Sequence, residues 1–237
     1  MITLADVRPG DIIFGPIGGI VPGWFPVAVG QALLADRKAR LTWKRWRKIR
    51  HVLVVTEAAQ QWPPMSPGWT PDSWPKAVQA MPRGAEEIKL SDRHWTADYV
   101  YVRPAYQTAD PTFALDMPGH PYAIGQAEMV AQAARSYIGT PYGFLTYGAL
   151  SVEHVLPGRQ TRLAAYISSR KEMICSQLAD QAMSDAGFHV FDDGRLPQDV
   201  VPAELFRALI DRSGSQYVVP GMPAWAKAGD YLHRDWR

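Results

Sequence analysis

The sequence predicts an α+β fold, on three observations. Short apolar runs rich in β-branched residues fill the first half of the chain. After Pro121 the apolar residues return at helical spacing, and near the end Tyr217-Val218-Val219 restores strand character. At 237 residues, 47% apolar and 20% charged, the chain can bury one substantial core. No Gly/Ser-rich linker divides it, so residues 1–237 read as a single domain. Twenty prolines and nineteen glycines argue for many loops and against a helical bundle.

Asp11-Ile12-Ile13-Phe14, entered through Pro9-Gly10, reads as a short buried strand. The stretch 14–35 is nearly uncharged, yet Pro16, Pro22, Pro26 and four glycines break any spanning helix there. A loop followed by a short helix over 26–35 is expected instead. Residues 37–50 carry eight basic side chains around Trp43 and Trp46, which suits either a solvated helix face or contact with an anionic surface. His51-Val52-Leu53-Val54-Val55-Thr56-Glu57 is the clearest strand.

An irregular Pro/Trp-rich insertion follows at about 58–75, with Trp62, Trp69 and Trp74 among five prolines. Lys76 to Met81 reads as a strand closed by Pro82, and Asp98 to Arg103 as another stopped by Pro104. Ala123 to Tyr137 is helical by its apolar face, ended at Gly139-Thr140-Pro141. Leu145–Val155 and Thr161–Ser169 are weaker helix candidates, and Ser176–Asp185 a stronger one closed by Gly187. There is no internal repeat and no glycine-rich phosphate loop.

A formal net charge of +2 gives no case for nucleic acid. The start Met1-Ile2-Thr3-Leu4-Ala5-Asp6 lacks a basic, apolar leader, so the expectation is no signal peptide and synthesis in the cytoplasm. Action on a cell envelope would then need carriage by a phage particle or release by lysis.

One cysteine, Cys175, leaves no internal disulfide and no thiolate metal cluster. It falls where the helix 176–185 begins. There the N–H groups and the positive end of the helix dipole favour a thiolate and can hold an oxyanion. The same spacing also fits a plain core role, because Cys175, Leu178, Ala179, Ala182 and Met183 share one apolar stripe.

A cysteine nucleophile needs a base, normally histidine. Of six histidines, His51 opens the best strand, where a rigid element would fix its ring. The ring in turn needs a polar partner. Glu57 shares its strand face but lies about 20 Å along the strand. Gln79, on the next strand, would come close if the two strands pair antiparallel. Gln79 is the expected partner. No His-x-x-x-His or Cys-x-x-Cys pair suggests a metal, and no cofactor is expected.

Together, Arg8-Pro9-Gly10-Asp11-Ile12-Ile13-Phe14, His51-Val52-Leu53-Val54-Val55, Val78-Gln79-Ala80-Met81-Pro82, Ala133 to Tyr142 and Ile174-Cys175-Ser176-Gln177-Leu178 resemble the circularly permuted NlpC-type papain-like hydrolases. This is the YiiX-like branch, related to the lecithin–retinol acyltransferase fold. Its histidine strand precedes its cysteine helix, as His51 precedes Cys175 here. The resemblance spans roughly residues 8–207, if Val201-Pro202-Ala203-Glu204-Leu205 is the family's late element.

It implies a small antiparallel sheet with the cysteine-bearing helix packed on it. Cys175 would be the nucleophile, His51 the general base and Gln79 the third polar residue. Two features depart from the family. Its third residue is commonly glutamate, and its hairpin after the histidine strand is shorter. The implied activity is amide hydrolysis through a thioester, with peptidoglycan stem peptides as the leading substrate. A lipid acyl hydrolase or acyltransferase with the same Cys-His pair is the second reading. A catalytically silent structural or binding module, such as a phage component, is the third.

Overall fold

The computed structural model describes residues 3–16, 50–59, 74–106, 125–143, 172–195, 197, 200–222, 224 and 226–227. In chain order these form β1 (Ile12–Gly15), β2 (His51–Glu57), β3 (Lys76–Met81), β4 (Gly84–Lys89) and β5 (Val100–Arg103). Helices α1 (Gln126–Ser136), α2 (Cys175–Asp185) and α3 (Pro202–Asp211) follow, then β6 (Gln216–Val218) and β7 (Ala226–Lys227). The fold is α+β, as the sequence predicts. The expected helices over 26–35, 145–155 and 161–169, nearly all of the basic segment 37–50 and most of the Pro/Trp-rich insertion lie outside the described residues.

The seven strands make one sheet in the order β4-β3-β2-β1-β5-β6-β7, with every neighbouring pair antiparallel. Its centre is apolar on both sides, which explains why β2 reads as an unbroken run rather than an alternating one. Val52, Val54, Val78 and Ala80 point to the face covered by the helices, against Leu178, Ala179, Ala182 and Met183 of α2. Leu53, Val55 and Ala77 point the other way, to a smaller cluster with Leu4, Val7, Leu90, Tyr101 and Val218. Helix α2 packs on β2 and β3 and lies between α1 and α3.

Strand β4, helix α3 and the two-residue β7 were not expected from the sequence. Strand β4 carries Glu86, Glu87 and Lys89, residues of low strand propensity, but it is an edge strand, where charge discourages pairing with another chain. Helix α3 starts with Pro202 in its first turn and buries Leu205, Phe206, Leu209 and Ile210. Phe206 meets Phe14 of β1 edge-to-face at 4.9 Å, a geometry worth about 0.5–1.5 kcal/mol beyond the area buried.

The turn between β3 and β4 holds only Pro82 and Arg83, with Met81 paired to Gly84. Gly84 has φ +115°, open to glycine, and an added Cβ would lie 3.0 Å from the Thr140 carbonyl oxygen. That close approach lets the segment after α1 hydrogen-bond to β4: Ala85 N–H donates to Thr140 O and Gly139 N–H to Ala85 O, both at 2.8 Å.

At the opposite end of the sheet, Asp11 is buried just before β1. Arg103 at the end of β5 donates to both its carboxylate oxygens, Nε to Oδ1 and Nη2 to Oδ2, each at 2.8 Å. The Arg8 N–H adds a third bond at 2.9 Å. Burial pushes the Asp11 carboxyl up from its ordinary pKa, and Arg103 pulls against that shift.

Candidate active site

His51 is the first residue of β2 and is buried. The antiparallel pairing of β2 with β3 sets Leu53 opposite Gln79, and the Gln79 amide reaches back to the ring: His51 Nε2 lies 2.8 Å from Gln79 Oε1. Gln79 is itself buried, and its Nε2 donates to Glu86 Oε1 at 3.1 Å across the β3–β4 pair.

These contacts fix the proton. A carboxylate only accepts, so the Gln79 NH₂ faces Glu86 and its oxygen faces His51. His51 Nε2 must then donate, which leaves Nδ1 as the unprotonated nitrogen of the neutral ring. Burial lowers the His51 pKa, while the Gln79 bond and the Glu86 charge pull it back. The outcome favours a neutral imidazole at neutral pH, the form a general base needs.

Glu57, the other candidate partner, is occupied elsewhere. It accepts from Lys76 Nζ at 2.8 Å and from Arg135 Nη2 at 3.1 Å.

Cys175 is the first residue of α2 and is buried among the apolar residues of the helix-covered face. The N-cap is Ile174, which brings no side-chain acceptor, and its own N–H donates to Gln177 Oε1 at 3.0 Å. Ser176 Oγ–H donates to Val200 O at 2.7 Å, tying the helix start to the segment before α3. The first turn therefore carries its positive end at the cysteine.

His51 and Cys175 start from opposite sides of the sheet. His51 pairs level with Gly15, which alternates with Phe14 and so shares the face of Ile13, away from the helices. Tyr99 fills that face at Gly15, where an added Cβ would fall 2.2 Å from its ring.

They are nevertheless at the same end of the sheet. Leu53 opposes Gln79 and Met81 opposes Gly84, so His51 is level with Met81 and the β3–β4 turn. Beside that turn, Met173 N–H donates to Pro141 O at 3.0 Å, and Gly143 N–H to Met173 O at 3.1 Å. Two residues later comes Cys175. Both elements thus begin at one end of the sheet, with the ring on one face and the thiol on the other.

His94 is a buried histidine that the sequence did not single out. It ends a short 3₁₀ turn, accepts from the Ser91 N–H at 3.1 Å on Nδ1, and stacks edge-on with Tyr99 at 5.8 Å. Burial, with the Arg93 and His51 charges, lowers its pKa to about 4. In the unfolded chain it would titrate near 6.5. Below that pH the unfolded state binds a proton that the folded state refuses, so stability falls from about pH 6.5 towards pH 4 and then levels. The loss from this one ring is expected to be on the order of 2–3 kcal/mol, with His51 adding in the same direction. Urea midpoints at pH 7 and 4.5 should show this, and His94→Gln should flatten the difference. An unchanged slope in the variant would assign the effect to other groups.

His189 is exposed, and His120, His154 and His233 lie outside the described residues. Among the described residues no three His, Cys, Asp or Glu side chains gather closely enough to hold a metal ion, and no helix is long and apolar enough to cross a membrane. No family model, curated protein or solved structure matches the chain.

Proposed function

We propose that the chain is a cysteine hydrolase of the permuted papain-like kind, cleaving an amide bond in peptidoglycan stem peptides. The observation that supports this best is His51, buried, oriented through Nε2 by Gln79, and set at the sheet end where the cysteine-bearing helix starts.

In this proposal the imidazole and the thiol meet at the sheet end and act as a base–nucleophile pair. His51 Nδ1 takes the proton of the Cys175 thiol as Sγ bonds to the amide carbonyl carbon. The backbone N–H groups at the start of α2 stabilise the negative charge that develops on the carbonyl oxygen. His51 returns the proton to the leaving amine as the C–N bond breaks, giving a thioester. Water, deprotonated by the same nitrogen, then cleaves the thioester, and Sγ recovers the proton. A neutral Gln79 orients the ring throughout.

Purified sacculi and acylated lipids, incubated in parallel with the protein and with Cys175→Ala, test the reading. New amine groups from sacculi with the wild type alone are expected. Free fatty acid or acyl transfer instead would move the activity to lipid esters, and products from neither would leave a binding module.

A further inference from the structure

We infer that Glu86 is a positioning residue: through the Gln79 amide it dictates which nitrogen of His51 carries the proton. Its meaning for catalysis rests on the hydrolase reading above, whereas the proton assignment itself does not.

The argument starts from the symmetry of an amide. A glutamine side chain can offer its ring partner either an oxygen or an NH₂, and the two differ little in shape. Gln79 facing His51 with its NH₂ would need the lone pair on Nε2, leaving the proton on Nδ1. That is the wrong tautomer for a base that must receive a thiol proton at Nδ1.

Nothing in Gln79 chooses between these states. Glu86 does, because an inverted amide would bring its oxygen against a carboxylate oxygen, two acceptors with no proton between them. The choice passes along two bonds, 3.1 Å from Glu86 to Gln79 and 2.8 Å from Gln79 to His51. Register supports it, since Gln79 and Glu86 are direct cross-strand partners and stand on one face. A glutamate at position 79 would orient the ring unaided. Here an amide does so, with the carboxylate one strand further out.

The test is a comparison of ¹⁵N imidazole shifts for His51 in the wild-type protein and in Glu86→Gln. Glu86 is exposed on an edge strand and the substitution is isosteric, so folding is not at risk. Wild-type His51 is expected as the Nε2–H tautomer. In Glu86→Gln the Nδ1–H form should gain population and the His51 pKa should fall. Alkylation of Cys175 should slow by roughly tenfold, the scale of one charge-assisted hydrogen bond. A wild-type ring protonated at Nδ1, or a tautomer unmoved by Glu86→Gln, would overturn the inference. If the tautomer shifts while His51→Ala leaves alkylation unchanged, the proton assignment stands and the hydrolase reading fails.

Discussion

In the proposed hydrolase, Cys175→Ala is expected to lower turnover of the cleaved amide by about 10⁴-fold or more, because the chain has no second thiol to form the thioester. His51→Ala should cost about 10²–10⁴-fold, the range for losing a positioned general base. The double variant should be little worse than Cys175→Ala alone, since a base without a nucleophile has nothing to deprotonate.

The same pair can be probed without a substrate. A small thiol-directed reagent should modify Cys175 faster than it modifies a free cysteine, and His51→Ala should abolish the advantage. Alkylation at the ordinary rate in both proteins would return Cys175 to the apolar core with which it packs. Thermal melts of each variant keep loss of activity distinct from loss of fold.

Arg103→Met is expected to destabilise the fold by about 3–5 kcal/mol at neutral pH, a large part of the stability of an ordinary domain. The cost arises from Asp11, which would stay buried with the Arg8 N–H and the weaker pull of the Arg8 charge left to answer its own. The sign of the pH dependence is fixed. Without Arg103 the folded Asp11 pKa rises further above the unfolded value near 3.9, so the folded state binds the extra proton. The deficit relative to wild type should therefore shrink as pH falls towards the acid range. Asp11→Asn combined with Arg103→Met should recover most of the loss, because the amide keeps an acceptor for Arg8 and leaves no charge. Urea midpoints of the single and double variants measure this. A double variant as unstable as Arg103→Met would locate the cost in lost packing of the arginine stem.

The central strands were legible because they are buried on both sides, so Val52 to Val55 had to be continuously apolar. Gln79 was legible by chemistry and neighbourhood, as the polar residue on the strand that had to pair with β2. Glu86 was not. In the sequence it reads as one of two acids on a charged, solvated segment. Its role depends on a cross-strand partner that only the pairing of β3 and β4 specifies. His94 was hidden for a related reason, since its burial comes from Tyr99 and a local turn rather than from any periodic pattern. The proline-led helix α3 carries a stripe at helical spacing, Leu205-Phe206 and Leu209-Ile210, that is short enough to pass for part of a loop.

The Pro82–Arg83 turn has a role that its exposed position conceals. Side chains alternate along β4, so one residue added to the turn would slide that strand, send Glu86 to the helix side and set Ala85 opposite Gln79. Alanine has no side-chain atom that could receive the Gln79 N–H. The same turn ends at Gly84, against which the chain leading to the cysteine is seated. Lengthening most surface loops changes little beyond their own entropy. An insertion here would act as a tuning error, leaving a folded sheet in which nothing on β4 sets the orientation of the Gln79 amide.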